Sequence, residues 1–331
     1  EDAALRHRIT EVVRDGKTYR IGVLEIPSFY LNYRARRAGD NYRSVSEDTE
    51  KALLALSAEN VDGVVVDLRG NPGGSLDEVA RMLGMFLKDG PLVQIRDGNG
   101  NISVYRDDDG GKQLYAGPMT VLINLASASA SEIFAAAIQD YGRGLILGST
   151  TTGKGTAQVQ LDSLAYGQAT LTQRTFYRVT GGSTQNRGVS PDINMVSIYD
   201  EDLGERKAKN ALKWDTIATS AYVRERDFSA DLPILTRRSL ARQVANPQFV
   251  FLNDIRHLGL RDKDQKTVSV NLTTRRAEAE KMEQQTLAFE NQRRTLTGLP
   301  PYANWQVYQA DLDAQSEIRA KMKQNERPKL P

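Results

Sequence analysis

The stretch MTVLINLASASASEIFAAAIQDY, residues 119–141, decides how its part of the chain folds, because its two halves have different patterns. Met119–Leu125 is a short apolar run with β-branched residues, which is typical of a buried strand. From Glu132 onward the apolar residues recur at helical spacing, which predicts a helix that begins near Ser129. The sequence therefore predicts a strand-to-helix turn that contains the serines Ser127, Ser129 and Ser131.

Ser129 has two interpretations at this turn. With Glu132 it fits the Ser-x-x-Glu capping box, in which each side chain accepts a hydrogen bond from a free backbone N–H at the helix start. A helix start also offers unpaired N–H groups and a positive dipole end, which stabilise an oxyanion next to a nucleophilic serine. Spacing alone leaves both roles open and does not choose among the three serines.

A serine nucleophile needs a base, and the sequence limits which base is available. The chain has two histidines, His7 and His257, and both are far from the serine turn in sequence. A Ser-His-Asp arrangement is therefore disfavoured, whereas Ser-Lys chemistry needs no histidine. Lys154, flanked by Gly153 and Gly155, is the candidate base. A lysine accepts a proton only when it is neutral, and burial favours the neutral amine.

The same lysine also lies in a near match to a phosphate-binding loop. Residues 148–155 follow an apolar strand and nearly fit the pattern G-x-x-x-x-G-K-[ST]. Gly155, however, stands where the magnesium-binding hydroxyl belongs. The following residues alternate like a strand, whereas a phosphate-binding loop opens a helix. Nucleotide binding therefore stays a minor alternative.

Several separated segments carry a resemblance that is more specific than any one motif. They are residues 22–30, 66–74, 127–137, 139–143, 153–158, 176–185 and 188–193. In this order they resemble the C-terminal processing, or tail-specific, serine peptidases of the Ser-Lys type, particularly the larger Prc-like periplasmic members. The resemblance implies an α/β peptidase core of the crotonase- or ClpP-like spiral type at residues 1–198. A mainly helical C-terminal domain is expected at residues 199–331.

The resemblance also implies roles for individual residues. The family's nucleophile falls on Ser129, its general base on Lys154 and its orienting polar residue on Gln158. Gln158 fits a solvent-facing strand residue equally well. The oxyanion donors correspond to the backbone N–H groups of Ala130 and Gly73. No metal ion or cofactor is implied.

Composition limits the remaining classes of function. The chain has 331 residues, with 44 basic and 42 acidic side chains, so its net charge of +2 does not suggest a nucleic-acid partner. The absence of cysteine excludes disulfides and thiol catalysis. No apolar run approaches the roughly 20 residues of a membrane span, and no signal peptide opens the sequence. A chain that begins Glu-Asp-Ala is expected to be a mature or trimmed product.

The pattern changes near residue 199. Before it, strands and helices alternate, which predicts an α/β domain. Strands are predicted at 19–26, 63–68, 92–96, 101–105, 119–125, 144–148, 157–161 and 169–178, and helices at 45–58, 76–87 and 129–141. Residues 32–43 are predicted to form an exposed basic loop. After it, helices are predicted at 203–223, 235–245, 247–258 and 274–297.

The sequence-based prediction is thus a periplasmic serine endopeptidase with a Ser129-Lys154 dyad. Its expected substrates are unfolded or tail-exposed proteins, and some Prc-like members imply a helical-repeat adaptor as partner. Family members carry a PDZ domain before the core, and no segment here resembles one, so selection of substrates by their C-terminal tails is expected to be weak. A catalytically silent, crotonase-like scaffold is the alternative from another functional class.

Overall fold

The computed structural model describes residues 4–107, 112–161, 166–198, 204–264 and 267–322. The chain divides into two compact units. The first contains the described residues of Ala3–Asn194 and Glu201–Leu232, and the second those of Met195–Asp200 and Pro233–Pro331. The predicted α/β core is confirmed, and so are three of the four helices predicted after it.

The first unit is built on two sheets. The larger is six-stranded, with the order β1-β2-β3-β6-β7-β10, and the smaller has the order β5-β4-β9-β8. The strands are β1 (Arg6–Arg14), β2 (Lys17–Glu25), β3 (Gly63–Asp67), β4 (Val93–Asp97), β5 (Ile102–Tyr105), β6 (Met119–Ile123), β7 (Leu145–Gly148), β8 (Thr156–Leu161), β9 (Ala169–Tyr177) and β10 (Ile193–Asn194).

The larger sheet is parallel from β2 to β10, and only β1 runs antiparallel to its neighbour. The central strands are apolar because both faces are covered: Val66 in β3 and Val121 in β6 are fully buried. The carboxyl ends of parallel strands meet at one edge of the sheet. The turns that follow β3 and β6 are therefore brought together there, and the serine turn is one of them.

Four helices complete the first unit: α1 (Tyr33–Ala38), α2 (Val45–Ala58), α3 (Leu76–Gly84) and α4 (Ala130–Asp140). In the core, the ring of Phe134 in α4 packs against two other aromatic rings. Its centroid lies 5.8 Å from that of Phe86, edge-on, and 6.2 Å from that of Phe29. Such contacts fix the depth and rotation of α4, and hence of the turn at its start.

The second unit is helical and has few buried side chains. Its helices are α5 (Leu232–Ala245), α6 (Pro247–Asp264), α7 (Leu272–Leu296) and α8 (Trp305–Lys321), the first residue of α5 belonging to the first unit. Among its described residues, the buried side chains are those of Ser239, Gln243, Leu258, Glu290 and Tyr308. Local pairs such as the ion pair between Arg293 and Glu290, at 2.5 Å, supplement this small core.

The helix predicted at residues 203–223 is wrong. The described part, 204–223, contains one short 3-10 turn, Glu205–Lys207, and is otherwise not helical. Its backbone instead bonds to residues that follow β9 in the same unit: the N–H of Ile217 donates to the Gly181 carbonyl oxygen at 2.9 Å, and that of Ser220 donates to the Val179 carbonyl oxygen at 2.9 Å. Tertiary pairing has overridden local helical spacing.

Other elements were missed for different reasons. Strand β1 is rich in charge and mostly exposed, so no apolar alternation marks it. Helix α1 lies within the predicted basic loop at 32–43, and most of this stretch is exposed as expected. Helix α8 carries Val307, Leu312 and Ile318 at exposed positions, so its apolar pattern is weak. A signal was still present, because the Asn304 side chain caps the helix by accepting from the Val307 N–H at 3.0 Å.

Candidate active site

Ser129 occupies a strained position at the start of α4. It is the N-cap residue, with φ of 57° and ψ of −114°. Positive φ is uncommon for a residue other than glycine and persists only where the surroundings hold it. A strained serine on a strand-to-helix turn is also the arrangement that exposes a nucleophilic hydroxyl. The Glu132 half of the predicted capping box is present, since the Glu132 carboxylate accepts from the Ser129 N–H at 2.8 Å, so the N-cap and the candidate nucleophile are the same residue.

The flanking serines are committed to hydrogen bonds. The Ser127 hydroxyl donates to the Leu68 carbonyl oxygen at 2.8 Å, and the Ser131 hydroxyl donates to the Asn71 carbonyl oxygen at 2.9 Å. Both side chains are fully buried, whereas Ser129 is half-buried. These contacts fasten the turn to the loop after β3. Among the three serines, the geometry favours Ser129 as the reactive one.

Glu132 joins the serine turn to the lysine loop. Its Oε2 accepts from the Ser129 N–H at 2.8 Å and from the Lys154 N–H at 2.9 Å. Its Oε1 accepts from the Gly153 N–H at 2.7 Å and from the Thr151 hydroxyl at 2.5 Å. Because one oxygen holds both Ser129 and Lys154, their backbones lie side by side, within two hydrogen-bond lengths.

The Glu132 carboxyl is fully buried, and the sequence revealed only part of its role. Burial raises the pKa of Glu132, and the four hydrogen bonds partly offset this increase. The Ser-x-x-Glu motif predicted the bond to Ser129. It carried no sign of the bonds to residues 151–154, because these depend on the chain returning past the start of α4.

The glycines around Lys154 are required by close backbone approach. Gly153 has φ of +87°, and its carbonyl oxygen accepts from the Asn186 N–H at 2.8 Å. A Cβ at Gly155 would lie 2.6 Å from the Gln185 nitrogen, which no side chain tolerates. Lys154 itself is half-buried. The structure therefore brings the backbone of Lys154 beside the backbone of Ser129.

The two predicted oxyanion donors also lie at the serine turn. A Cβ at Gly73 would stand 2.9 Å from the Ser129 Cβ and 3.0 Å from the Ala130 nitrogen, so only a glycine packs here without movement. Within the described ranges, no acceptor takes the Ala130 N–H, which is a free group of the first helical turn. The Gly73 N–H donates to Asn71 Oδ1 at 2.9 Å, so in this structure it stabilises its own turn.

Among the described residues, Gln158 makes no hydrogen bond to Ser129 or Lys154. It lies on β8 with an exposed side chain, and its Nε2 is 3.4 Å from the Thr172 hydroxyl. The register between β8 and β9 shifts between Ala157 and Gln158, so a β-bulge marks this position. The structure thus assembles the other predicted site residues and leaves Gln158 on the strand surface.

The geometry also bears on the alternatives. Lys154 is followed by strand β8, so the near match to a phosphate-binding loop lacks the helix that such a loop requires. Among the described residues, no cluster of three or more His, Cys, Asp or Glu side chains is arranged to hold a metal ion. Within the same residues, no helix is both long and apolar enough to cross a membrane.

Two family models match the chain in sequence order. The model of peptidase family S41 matches residues 20–195, and that of the C-terminal domain of tail specific protease matches residues 198–330. The predicted boundary near residue 199 falls where the first match gives way to the second. All the predicted site residues lie within the first match.

Known relatives have names that agree with these matches. The chain is 41% identical over 285 residues to the tail-specific protease of Haemophilus influenzae, covering 82% of this chain and 39% of that protein. It is 36% identical over 202 residues to the carboxy-terminal-processing protease of Bartonella bacilliformis, covering 55% and 46%. The chain therefore spans less than half the length of either relative.

Among solved structures, the photosystem II D1 C-terminal processing protease is similar, with a TM-score of 0.47 and 29% identity over 58% of this chain and 48% of that chain. The family assignment rests on the sequence models. The S41 match covers more than half of the 331 residues. The chain therefore belongs to peptidase family S41, a family of serine-type peptidases, and continues into the C-terminal domain of tail-specific proteases.

Proposed function

We propose that this chain carries the catalytic centre of a tail-specific endopeptidase, with Ser129 as nucleophile and Lys154 as base. One observation carries the proposal: a single buried oxygen of Glu132 accepts from the backbone N–H groups of both residues. Nucleophile and base are then held in one frame, which is the condition for efficient proton transfer between them.

The proposed reaction has two matching halves. The neutral Lys154 amine takes the proton of the Ser129 hydroxyl while its oxygen attacks the substrate carbonyl carbon. The resulting ammonium returns the proton to the leaving amine, and the acyl-enzyme remains. Water then attacks the ester, losing a proton to Lys154, which passes it back to the Ser129 oxygen.

Stabilisation of the tetrahedral intermediate is assigned to backbone groups. The free N–H of Ala130 is the first donor, because it lies at the positive end of α4 beside the nucleophile. Gly73 is proposed as the second donor, which requires its N–H to share or leave Asn71 Oδ1. Gln158 is proposed to orient Lys154, which requires a rearrangement of the bulged strand β8.

The proposed substrates are unfolded proteins or proteins with exposed C-terminal tails. The relatives' names, tail-specific and carboxy-terminal-processing protease, support this substrate class. Resemblance to Prc-like members supports a periplasmic location and a helical-repeat adaptor as partner. The fuller activity belongs to a longer protein in these relatives, since the matches cover 39% and 46% of their lengths.

The deciding experiment labels the serine. A fluorophosphonate reagent should phosphonylate the parent chain at the Ser129 oxygen with loss of fluoride, and Ser129→Ala should abolish both labelling and the cleavage of an unfolded substrate protein. Ser127→Ala is the matched control and should retain measurable cleavage. A parent chain that resists every serine-directed reagent and cleaves no substrate would support the silent scaffold instead.

A further inference from the structure

The motif at residues 183–185, Ser-Thr-Gln, has no role in the mechanism above, yet its glutamine is buried at the lysine loop. Gln185 is 1% exposed. Its Oε1 accepts from the Gly155 N–H at 2.9 Å, directly after Lys154 in the chain. A buried amide in this place is costly unless its hydrogen bonds are made, so the contact calls for an explanation.

Hydrogen bonds hold the Gly153–Gly155 backbone from two sides. On one side Glu132 accepts from the N–H groups of Gly153 and Lys154. On the other side Gln185 accepts from Gly155, and the Asn186 N–H donates to the Gly153 carbonyl oxygen at 2.8 Å. Removing the hydrogen bonds on either side would let the peptide groups next to Lys154 rotate. The Lys154 amine, at the end of a flexible side chain, would move with them.

Glu205 favours the orientation of the Gln185 amide that the Gly155 N–H requires. The Gln185 Nε2 lies 3.3 Å from Glu205 Oε1 and 3.4 Å from Asn186 Oδ1. A carboxylate accepts hydrogen bonds and donates none, so it requires the NH₂ end of the amide. The carbonyl end then points at the Gly155 N–H. Glu205 is itself held, because its N–H donates to the Thr152 carbonyl oxygen at 2.9 Å.

We propose that Gln185 and Glu205 are a positioning pair for Lys154. The pair sets the backbone from which the base extends, and neither residue touches the substrate. This inference rests on the proposed function. It also gives the C-terminal part of the chain a share in the active site: Glu205 lies in the segment matched by the C-terminal domain of tail specific protease, residues 198–330, yet belongs to the same compact unit as Lys154.

The test is an exchange of the two side chains in the full chain. Gln185→Glu keeps an acceptor for the Gly155 N–H but places a second carboxylate against Glu205. We expect its kcat to fall on the order of 10²-fold, because small displacements of a catalytic group have effects of this size. KM should change less than about twofold, since substrate binding does not involve the pair.

The double variant, Gln185→Glu with Glu205→Gln, restores the complementarity with the amide and carboxylate exchanged. We expect its kcat to return to within about fivefold of the parent value, which is the signature of direct coupling. Ser103→Ala in β5 serves as a control and should leave kcat and KM unchanged. Thermal unfolding of each variant shows whether the fold is intact.

The outcomes separate this inference from the proposed function. If the parent chain shows no cleavage dependent on Ser129, the proposed function fails, and this inference fails with it. If cleavage depends on Ser129 but Gln185→Glu leaves kcat unchanged, only the positioning pair is overturned. A double variant no faster than a folded Gln185→Glu variant, or a loss confined to KM, would also overturn the pair.

Discussion

Helices α4 and α7 differ in how much of their surface is buried, and the difference explains why the candidate active site lies at α4. Of the residues of Ala130–Asp140, all but Gln139 are buried. In the 25 residues of Leu272–Leu296, all of which the structure describes, only Glu290 is buried. A helix buried on every side holds its backbone rigidly enough to keep Ser129 in a strained conformation. An exposed helix depends for its stability on caps, helix propensity and local ion pairs.

The largest expected effect lies in the first unit. Lys154→Arg should reduce turnover on the order of 10³-fold or more, because arginine stays protonated and cannot act as a base. Lys281→Arg in the exposed α7 is the matched control and should leave turnover unchanged. Steady-state cleavage of an unfolded substrate measures both. Near-normal turnover by Lys154→Arg would exclude lysine as the base.

A matched leucine pair measures the difference in packing directly. Leu83 in α3 is fully buried, and Leu296 at the end of α7 is 59% exposed. Leu83→Ala should lower the free energy of unfolding by about 2–5 kcal/mol, because a cavity is left in the core. Leu296→Ala should change it by less than about 0.5 kcal/mol. Similar losses in urea unfolding would contradict the contrast between the units.

A glycine pair separates backbone strain from steric conflict. Gly73 has φ of +105° and is packed against Ser129, while Gly298, after α7, has φ of +77°, and an added Cβ there would meet no atom within 4 Å. Gly298→Ala should cost about 1 kcal/mol of stability from strain alone. Gly73→Ala should cost more and reduce turnover on the order of 10²-fold, because its Cβ displaces an oxyanion donor. Equal effects on turnover would remove Gly73 from the site.

At Glu132 we expect a smaller effect, a dependence of the free energy of unfolding on pH. Its pKa in the folded state is raised by burial above the ordinary value of 4.5. The folded state then binds more protons than the unfolded state between the two values, so this group contributes stability as pH falls through that window and loses it as pH rises. Glu132→Gln removes this dependence and replaces an oxygen that accepts from two donors, so at least one N–H loses its acceptor, at a cost of about 1–3 kcal/mol.

The measurement is the free energy of unfolding of parent and Glu132→Gln as a function of pH. The advantage of the parent over the variant should grow as pH falls from the raised value toward 4.5. A constant difference across this range would show that Glu132 does not titrate differently in the folded state.

The smallest expected effect is in the second unit. Arg275 and Glu278 form an exposed ion pair of 2.8 Å, one helical turn apart on α7. Arg275→Gln should lower the free energy of unfolding by about 0.2–0.5 kcal/mol, and less at high salt, because water and ions screen such a pair. A loss above about 1 kcal/mol would mean that this face of α7 is packed more tightly than its exposure indicates.

Local pattern was sufficient where an element is buried in the core. The apolar strands around residues 63–68 and 119–125 and the helix at 129–141 appear in the structure as β3, β6 and α4. Patterns failed where tertiary contacts replaced local preference. Residues 204–223 bond along the first unit instead of forming a helix, and β1 is stabilised by pairing that its own composition does not announce.

For the site, the sequence by itself supplied the proposed reacting groups: a serine turn at a helix start, a lysine between glycines, and no histidine near either in the chain. Residue types and short spacings carry that information. Only the tertiary structure decided that Glu132 bridges the two loops, that Gln185 and Glu205 grip the lysine loop, and that Gln158 lies on a strand surface. Apart from the bond between Ser129 and Glu132, these contacts join residues 14 to 30 positions apart. Such pairings are fixed by how the strands are ordered and not by any local pattern.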